Sequence, residues 1–145
     1  MSALCVTLVV VLVSDQALKL LLRRLMGSVV LALGPLGSVR VVAGRLWLRR
    51  SGRQFSGVQI WCFWLAAAVP LVIVSTTLLP ASGAFVGLLL GGSLSHAAEG
   101  SLRGGIIDYI CLPFWPAFNL ADLALTVGAI GMIGEVLMLT RAMAF

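Results

Sequence analysis

The five acidic residues of the chain are Asp15, Glu99, Asp108, Asp122 and Glu135. All lie within or at the ends of apolar runs, so none serves solubility. An ionisable group in such a run costs about 2.5–3.5 kcal/mol even on insertion scales, and its default reading is functional. Asp108 and Asp122 are the pair best suited to chemistry. Asp108 follows Gly104-Gly105-Ile106-Ile107 at the exit of the third apolar run, and Asp122 follows Phe118-Asn119-Leu120-Ala121 at the opening of the fourth. The connection between them carries Pro113 and Pro116, which prevent regular helix, and aromatics that suit a membrane interface. A short loop brings the ends of adjacent antiparallel helices together. Both carboxylates are therefore expected on one side of the membrane, just below its surface. Two close carboxylates do not easily both ionise, so they share a proton and their apparent pKa values split. Such a pair activates water for peptide hydrolysis, one member as base and the other as acid. The competing reading is two aspartates that merely cap or hydrogen-bond helix ends.

The elements that position these acids follow from composition. Of 145 residues, 61% are hydrophobic and 10% charged, with a mean hydropathy of +1.12. A soluble domain is about 25% charged, so a soluble enzyme, a disordered tail and a nucleic-acid module are all excluded, despite the net charge of +5. A spanning helix needs about 20 mainly apolar residues. Four segments supply them, at about residues 3–22, 58–79, 83–98 and 120–140. The first has neither a basic leading region nor a small-residue cleavage site, so it is expected to be a retained helix. The reading is one domain over 1–145. Three cysteines give no disulfide framework. Asp15 and Lys19, four apart, share a helix face and read as a self-neutralising pair near the outer end of the first helix, or as a direct substrate contact.

Between the first two helices, at about 28–55, the pattern changes. Val29–Leu33 is β-branched and apolar, Gly34-Pro35-Leu36-Gly37 signals a turn, and Ser38–Val42 is a second strand candidate. Arg45-Leu46-Trp47-Leu48-Arg49 alternates as a half-buried strand does. A small sheet on the membrane surface is expected, with Trp47 at headgroup depth; a disordered basic loop is the alternative. The fold class is thus an all-α integral membrane protein, with four transmembrane helices and a small β-sheet between helices 1 and 2.

Asp15-Gln16-Ala17-Leu18-Lys19, Gly91-Gly92-Ser93-Leu94, Ile107-Asp108-Tyr109 and Phe118-Asn119-Leu120-Ala121-Asp122 resemble, in this order, the motifs of signal peptidase II. The family is that of the bacterial lipoprotein signal peptidases, and the likeness runs along nearly the whole chain. Phe-Asn-x-Ala-Asp is its most specific motif. The resemblance implies an intramembrane aspartic endopeptidase that removes signal peptides from diacylglyceryl-modified prolipoproteins, cutting before the lipidated cysteine. It implies Asp108 and Asp122 as catalytic residues, with Asn119, Asp15 and Lys19 supporting them. It also implies an extracytoplasmic sheet, the bacterial inner membrane as location, prolipoproteins and membrane lipids as partners, and neither metal nor cofactor. Some positions depart from the pattern. Where the family has Gly-Asn-x-x-Asp-Arg, this chain has Ser95-His96-Ala97-Ala98-Glu99-Gly100, and where it has Asn-x-Gly-x-x-Phe, the asparagine position is Arg50. His96, Glu99 and Arg50 are carried as supporting or substrate-binding candidates. Arg103 is carried as a shifted substitute for the missing arginine, although a displaced guanidinium is not equivalent.

Eight of the ten basic residues lie between Lys19 and Arg53. The positive-inside rule places such a segment in the cytoplasm, whereas the family likeness places it outside, against anionic headgroups. The motif order is the more specific signal, and the outward placement is adopted. Two other readings stand beside the peptidase. A non-catalytic relative that binds lipidated or signal-peptide helices would account for the altered residues around His96. A small four-helix transporter would use the acids as a proton relay, but would need its site near the midplane.

Overall fold

The computed structural model describes residues 1–26, 30–44 and 56–144. Its long elements are helices α1 (Ser2–Met26), α2 (Gly57–Leu78), α3 (Gly83–Arg103) and α4 (Leu120–Met143). Among the described residues, four helices are long and apolar enough to cross a membrane. At about 1.5 Å per residue, each matches the roughly 30 Å hydrocarbon core. Large apolar side chains of α1, α2 and α4, such as Val9, Phe63 and Ile130, point away from the protein. This is the expected surface where lipid replaces water. The chain is a multi-pass membrane protein.

Helix α3 is the centre of the bundle. Within its span 44% of the most apolar window is buried, against 22%, 6% and 11% for the spans of α1, α2 and α4. Its paired glycines explain the close approach of its neighbours. A Cβ on Gly91 would stand 2.7 Å from the Leu8 carbonyl oxygen of α1, and one on Gly92 would stand 2.7 Å from the Ala121 carbonyl oxygen of α4. Without a hydrophobic drive between helices in lipid, such small-residue contacts carry the packing. Near the opposite end, Leu4, Ala68, Val86 and Leu90 form an apolar core.

Strands β1 (Leu31–Ala32), β2 (Ser38–Gly44) and β3 (Ile106–Cys111) form an antiparallel sheet in the order β1-β2-β3. Gly34, at φ 64°, opens the turn Gly34–Leu36 between β1 and β2. The first strand is shorter than the Val29–Leu33 expectation, and the second runs two residues beyond Val42. The expected strand at 45–49, with Trp47 and the adjoining Arg50, lies outside the described residues.

The sheet corrects the expectation that it lies wholly between the first two helices. Its third strand comes from the connection between α3 and α4, for which the prolines argue only against regular helix. Pro113 and Pro116 sit beyond the strand, so they leave its hydrogen bonds intact. Val42 lies opposite Asp108, and the register shifts between Val39 and Val42. Helix bounds also move, and α4 runs past the expected end at residue 140 to Met143. α1 continues past the expected end at residue 22 to Met26, and α3 continues past 98 to Arg103. There Gly104 takes φ 67° and donates its N–H to the Gly100 carbonyl, a left-handed stop that glycine adopts at little cost.

Candidate active site

The hairpin that follows α3 brings Asp108 and Asp122 together. Leaving β3, the chain turns and comes back on itself. Tyr109 and Ile110 donate their N–H groups to the Phe118 carbonyl at 3.1 and 2.9 Å, and Phe118 donates to the Ile110 carbonyl at 3.0 Å. The next residue, Asn119, is fully buried and caps α4. Its side-chain oxygen accepts from the Asp122 N–H at 3.0 Å, and Asp122 Oδ2 accepts from the Asn119 N–H at 2.9 Å. This reciprocal pair is a capping box, which satisfies two otherwise orphaned donors. The Asn119 Nδ2 then donates to the Ile107 carbonyl at 3.2 Å and to Asp108 Oδ1 at 2.8 Å. One asparagine thus holds both aspartates. The cap reading and the paired-carboxylate reading are therefore compatible, because the cap is what joins the pair.

The pair differs in its surroundings. Burial pushes the Asp108 carboxyl above the usual carboxylate range; the Asn119 hydrogen bond opposes this, and the neighbouring charge of Asp122 adds to it. Asp122 has 38% of its side chain exposed, and His96 Nε2 lies 3.5 Å from its Oδ1.

Behind the pair is a buried charged cluster. Lys19 Nζ lies 2.8 Å from both Asp15 Oδ2 and Glu99 Oε2, and none of these three side chains is exposed. The Asp15–Lys19 pair is therefore part of a larger cluster rather than self-contained. Glu99 also receives Arg23 at 3.1 Å, Arg103 at 3.4 Å and the Ile107 N–H at 3.2 Å. Ser95 Oγ donates to Asp15 Oδ2, and Gln16 Nε2 donates to Ser95 Oγ at 2.7 Å. Buried ions are tolerable only when paired and hydrogen-bonded. Among the described residues, no buried side-chain nitrogen or oxygen lacks a partner.

Tyr109 connects the cluster to the pair. Its hydroxyl accepts from the Leu120 N–H at 2.9 Å and donates to Asp15 Oδ1 at 3.4 Å. Burial raises the phenol above its ordinary value, so it stays protonated. Asp15 Oδ1 also accepts the Ala121 N–H at 3.3 Å. The first turn of α4 is thereby tied to α1.

The sequence-predicted residues divide into two connected groups. Asn119 contacts Asp108, Asp122 and His96, and His96 also faces Asp122. Asp15, Lys19, Glu99 and Arg103 form the cluster beside them, with Arg103 on Glu99 and not on the pair. Four members were not anticipated: Arg23, Tyr109, Ser95 and Gln16. Arg23 was signalled by its place four residues beyond Lys19, on the face that already held Asp15. The Tyr109 hydroxyl and the Ser95 hydroxyl had no signal in spacing alone, although Ile106–Cys111 has the apolar, β-branched character of a strand. Among the described residues, no group of three or more His, Cys, Asp or Glu side chains is arranged to hold a metal ion.

Four membrane helices and a carboxylate pair at the strand–helix junction define a membrane protein with a candidate acid pair at one end of its bundle. Comparison with known proteins gives the family. The chain matches the signal peptidase (SPase) II family over residues 7–138, and it belongs to that family. It is 29% identical over 139 residues to a lipoprotein signal peptidase of Paraburkholderia phytofirmans, covering 86% of this chain and 78% of that protein. It is 37% identical over 75 residues to one from Syntrophomonas wolfei, covering 52% and 44% respectively. With one from Burkholderia mallei it shares 35% over 95 residues, covering 59% of this chain and 57% of that protein. Several of these matches thus span only about half of the relative's length. Two solved structures titled as bacterial membrane enzymes share the fold. One has a TM-score of 0.81 at 19% identity, covering 94% of both chains. The other has 0.80 at 22%, covering 97% of this chain and 90% of that one.

Proposed function

We propose that the chain is an aspartic endopeptidase that removes signal peptides from diacylglyceryl-modified prolipoproteins in the bacterial inner membrane, cutting before the lipidated cysteine. Membership of the signal peptidase II family supports the substrate class. The observation that carries the chemistry is the Asn119 bridge, 2.8 Å from Asp108 and closed on Asp122 through the capping box. In this reading Asp108 and Asp122 are the catalytic residues. Asp108, the more desolvated, holds the proton and polarises the scissile carbonyl. Asp122, with 38% of its side chain exposed, takes a proton from the attacking water. Asn119 orients both, and Asp15, Lys19, Glu99 and Arg103 hold the strand and helix that carry them. Arg50 and the basic segment around it, which lie outside the described residues, are assigned to binding the lipid of the substrate and the anionic headgroups of the outer leaflet. The signal peptide lies as a helix among α2, α3 and α4.

The test is a gel-shift cleavage assay with a diacylglyceryl-modified prolipoprotein and purified enzyme. Asp108→Asn and Asp122→Asn are each expected to abolish cleavage, by at least about 10²-fold, while each protein inserts and folds. Near-wild-type turnover by either variant would overturn the aspartic mechanism. A wild-type protein that binds this substrate without cutting it would be a non-catalytic relative.

A further inference from the structure

Glu135 is the acidic residue that neither the carboxylate pair nor the buried cluster uses. It lies half-buried on α4, thirteen residues beyond Asp122. Ala121, Ala124 and Gly128 are the buried positions of this helix, and Glu135 continues their stripe, seven residues after Gly128. A Cβ on Gly131 would strike the Phe85 ring, in the first turn of α3. Glu135 is one turn further on, at the end of the bundle away from Asp122, where the cover given by α3 runs out.

No nearby charge answers it among the described residues. Residues 1–14, 54–98 and 123–134 contain no Asp, Glu, Lys or Arg. Arg141 is six residues on, and positions six apart fall on different helix faces. Among the described residues, Glu135 has neither a hydrogen bond nor an ion pair. Exposed apolar side chains continue beyond it, at Val136, Leu137 and Met138. The acid thus stands inside the spanning segment and not at its rim. An ionisable group in such a place reads as functional, with a partner of opposite charge to be named.

Spacing names the partner. Thirteen residues of helix rise about 20 Å. A signal peptide is an apolar run of about 7–15 residues preceded by Lys or Arg. As a helix, such a run separates its basic end from its cleaved end by about 10–22 Å. α2 and α4 both pack on α3 and scarcely touch each other, which leaves room along α3 for one more helix. We propose that Glu135 receives the basic leading segment of the signal peptide, pairing with a Lys or Arg side chain when the scissile bond stands at Asp108 and Asp122. The assignment rests on the peptidase reading. A cation brought to the carboxyl favours its ionised form, so the pairing itself sets the charge of Glu135. The long stem of Lys or Arg covers the remaining few ångström along the apolar surface. With one contact at each end of the apolar run, α4 gauges the length of the segment between them.

The test is a double-mutant cycle on cleavage of a diacylglyceryl-modified prolipoprotein by the full chain in detergent. The enzyme is wild type or Glu135→Gln. The substrate keeps its basic leading segment or has every Lys and Arg of that segment replaced by Gln. With the basic substrate, Glu135→Gln is expected to raise KM about fivefold, the upper end for a partly exposed ion pair, with kcat little changed. With the neutral substrate it is expected to have no further effect on KM. A KM that Glu135→Gln leaves unmoved, or raises equally for both substrates, would overturn the proposal; the second result would make Glu135 a packing residue of α4. In a second arm, Glu135→Lys is expected to process a substrate with an acidic leading segment at lower KM than wild type does, and the reverse order would overturn the pairing. Failure of the wild-type protein to cleave either substrate would refute the peptidase reading. The same cycle is then read as binding, from the fluorescence anisotropy of a labelled synthetic signal peptide. A fivefold coupling there supports the pairing without turnover, and its absence overturns it.

Discussion

Lys19 of α1 and Glu99 of α3, eighty positions apart, meet at 2.8 Å with neither side chain exposed. The contact fixes the rotation of α1 against α3, because the same ammonium is held by Asp15. Removing one partner of a buried pair leaves uncompensated charge and costs about 3–5 kcal/mol. Lys19→Met, which keeps the apolar stem and deletes the charge, is expected to lose stability of that order. Thermal unfolding in detergent measures it, and a loss below about 1 kcal/mol would show that the cluster does not hold the helices.

The raised Asp108 gives a pH dependence with a definite sign. Its carboxyl binds its proton more tightly in the folded protein than in the unfolded chain, chiefly through burial. The stability this contributes is fully present below the unfolded value of about 3.9, and is lost as pH rises through the folded value. Asp108→Asn, permanently neutral, is therefore expected to gain stability relative to wild type as pH rises from 4 to 7. Melting temperatures of the two proteins across that range test it; a constant difference would remove the asymmetry of the pair.

Asn119→Ala deletes the bridge and the cap together. Loss of an N-cap costs about 0.5–2 kcal/mol, so the variant is expected to fold. Its turnover is expected to fall much further than its stability, because Asp108 loses its side-chain donor and the Asp122 N–H loses its acceptor, so that no side chain ties the two residues together. Unchanged cleavage kinetics would leave Asn119 as a helix-start residue and nothing more.

Tyr109→Phe leaves the ring in place and removes the hydroxyl that accepts from the Leu120 N–H. An unsatisfied buried donor costs about 1–3 kcal/mol. The expected outcome is a loss of stability in that range together with a lower kcat at unchanged KM, since Asp108 and Asp122 are positioned by the two elements this hydroxyl joins. A fall in stability with no change in kcat would limit Tyr109 to a structural role.

Hydropathy and length alone defined the four helices, because in a membrane every backbone polar group must be satisfied inside the helix and the apolar runs are long. The Asp108–Asp122 proximity was also legible, since a short connection between adjacent helices leaves little freedom. Strand β3 is not among the expected strands, because Ile106–Cys111 is a short apolar stretch directly after a helix and the prolines at 113 and 116 argue only against helix. Its pairing with β2 is a tertiary contact with no local signature. Glu99 was placed by its motif position, but its partners come from α1 and from the end of its own helix, and spacing within one helix does not report the rotation of another. Arg103 was linked to the site by analogy, and its guanidinium lies on Glu99 instead.

The pairing of Val42 with Asp108 has a consequence for biosynthesis. A strand made soon after the first helix waits for a partner that follows the third, and Asp122 arrives only with the fourth. The Asp15–Lys19 pair, four residues apart, offsets its own charge from the start, so α1 can enter the bilayer before Glu99 has been translated. The carboxylate pair has no such early form. A nascent chain halted at any earlier helix holds neither aspartate, one halted in the connection after α3 holds Asp108 alone, and the complete acid pair comes into being only with the fourth helix.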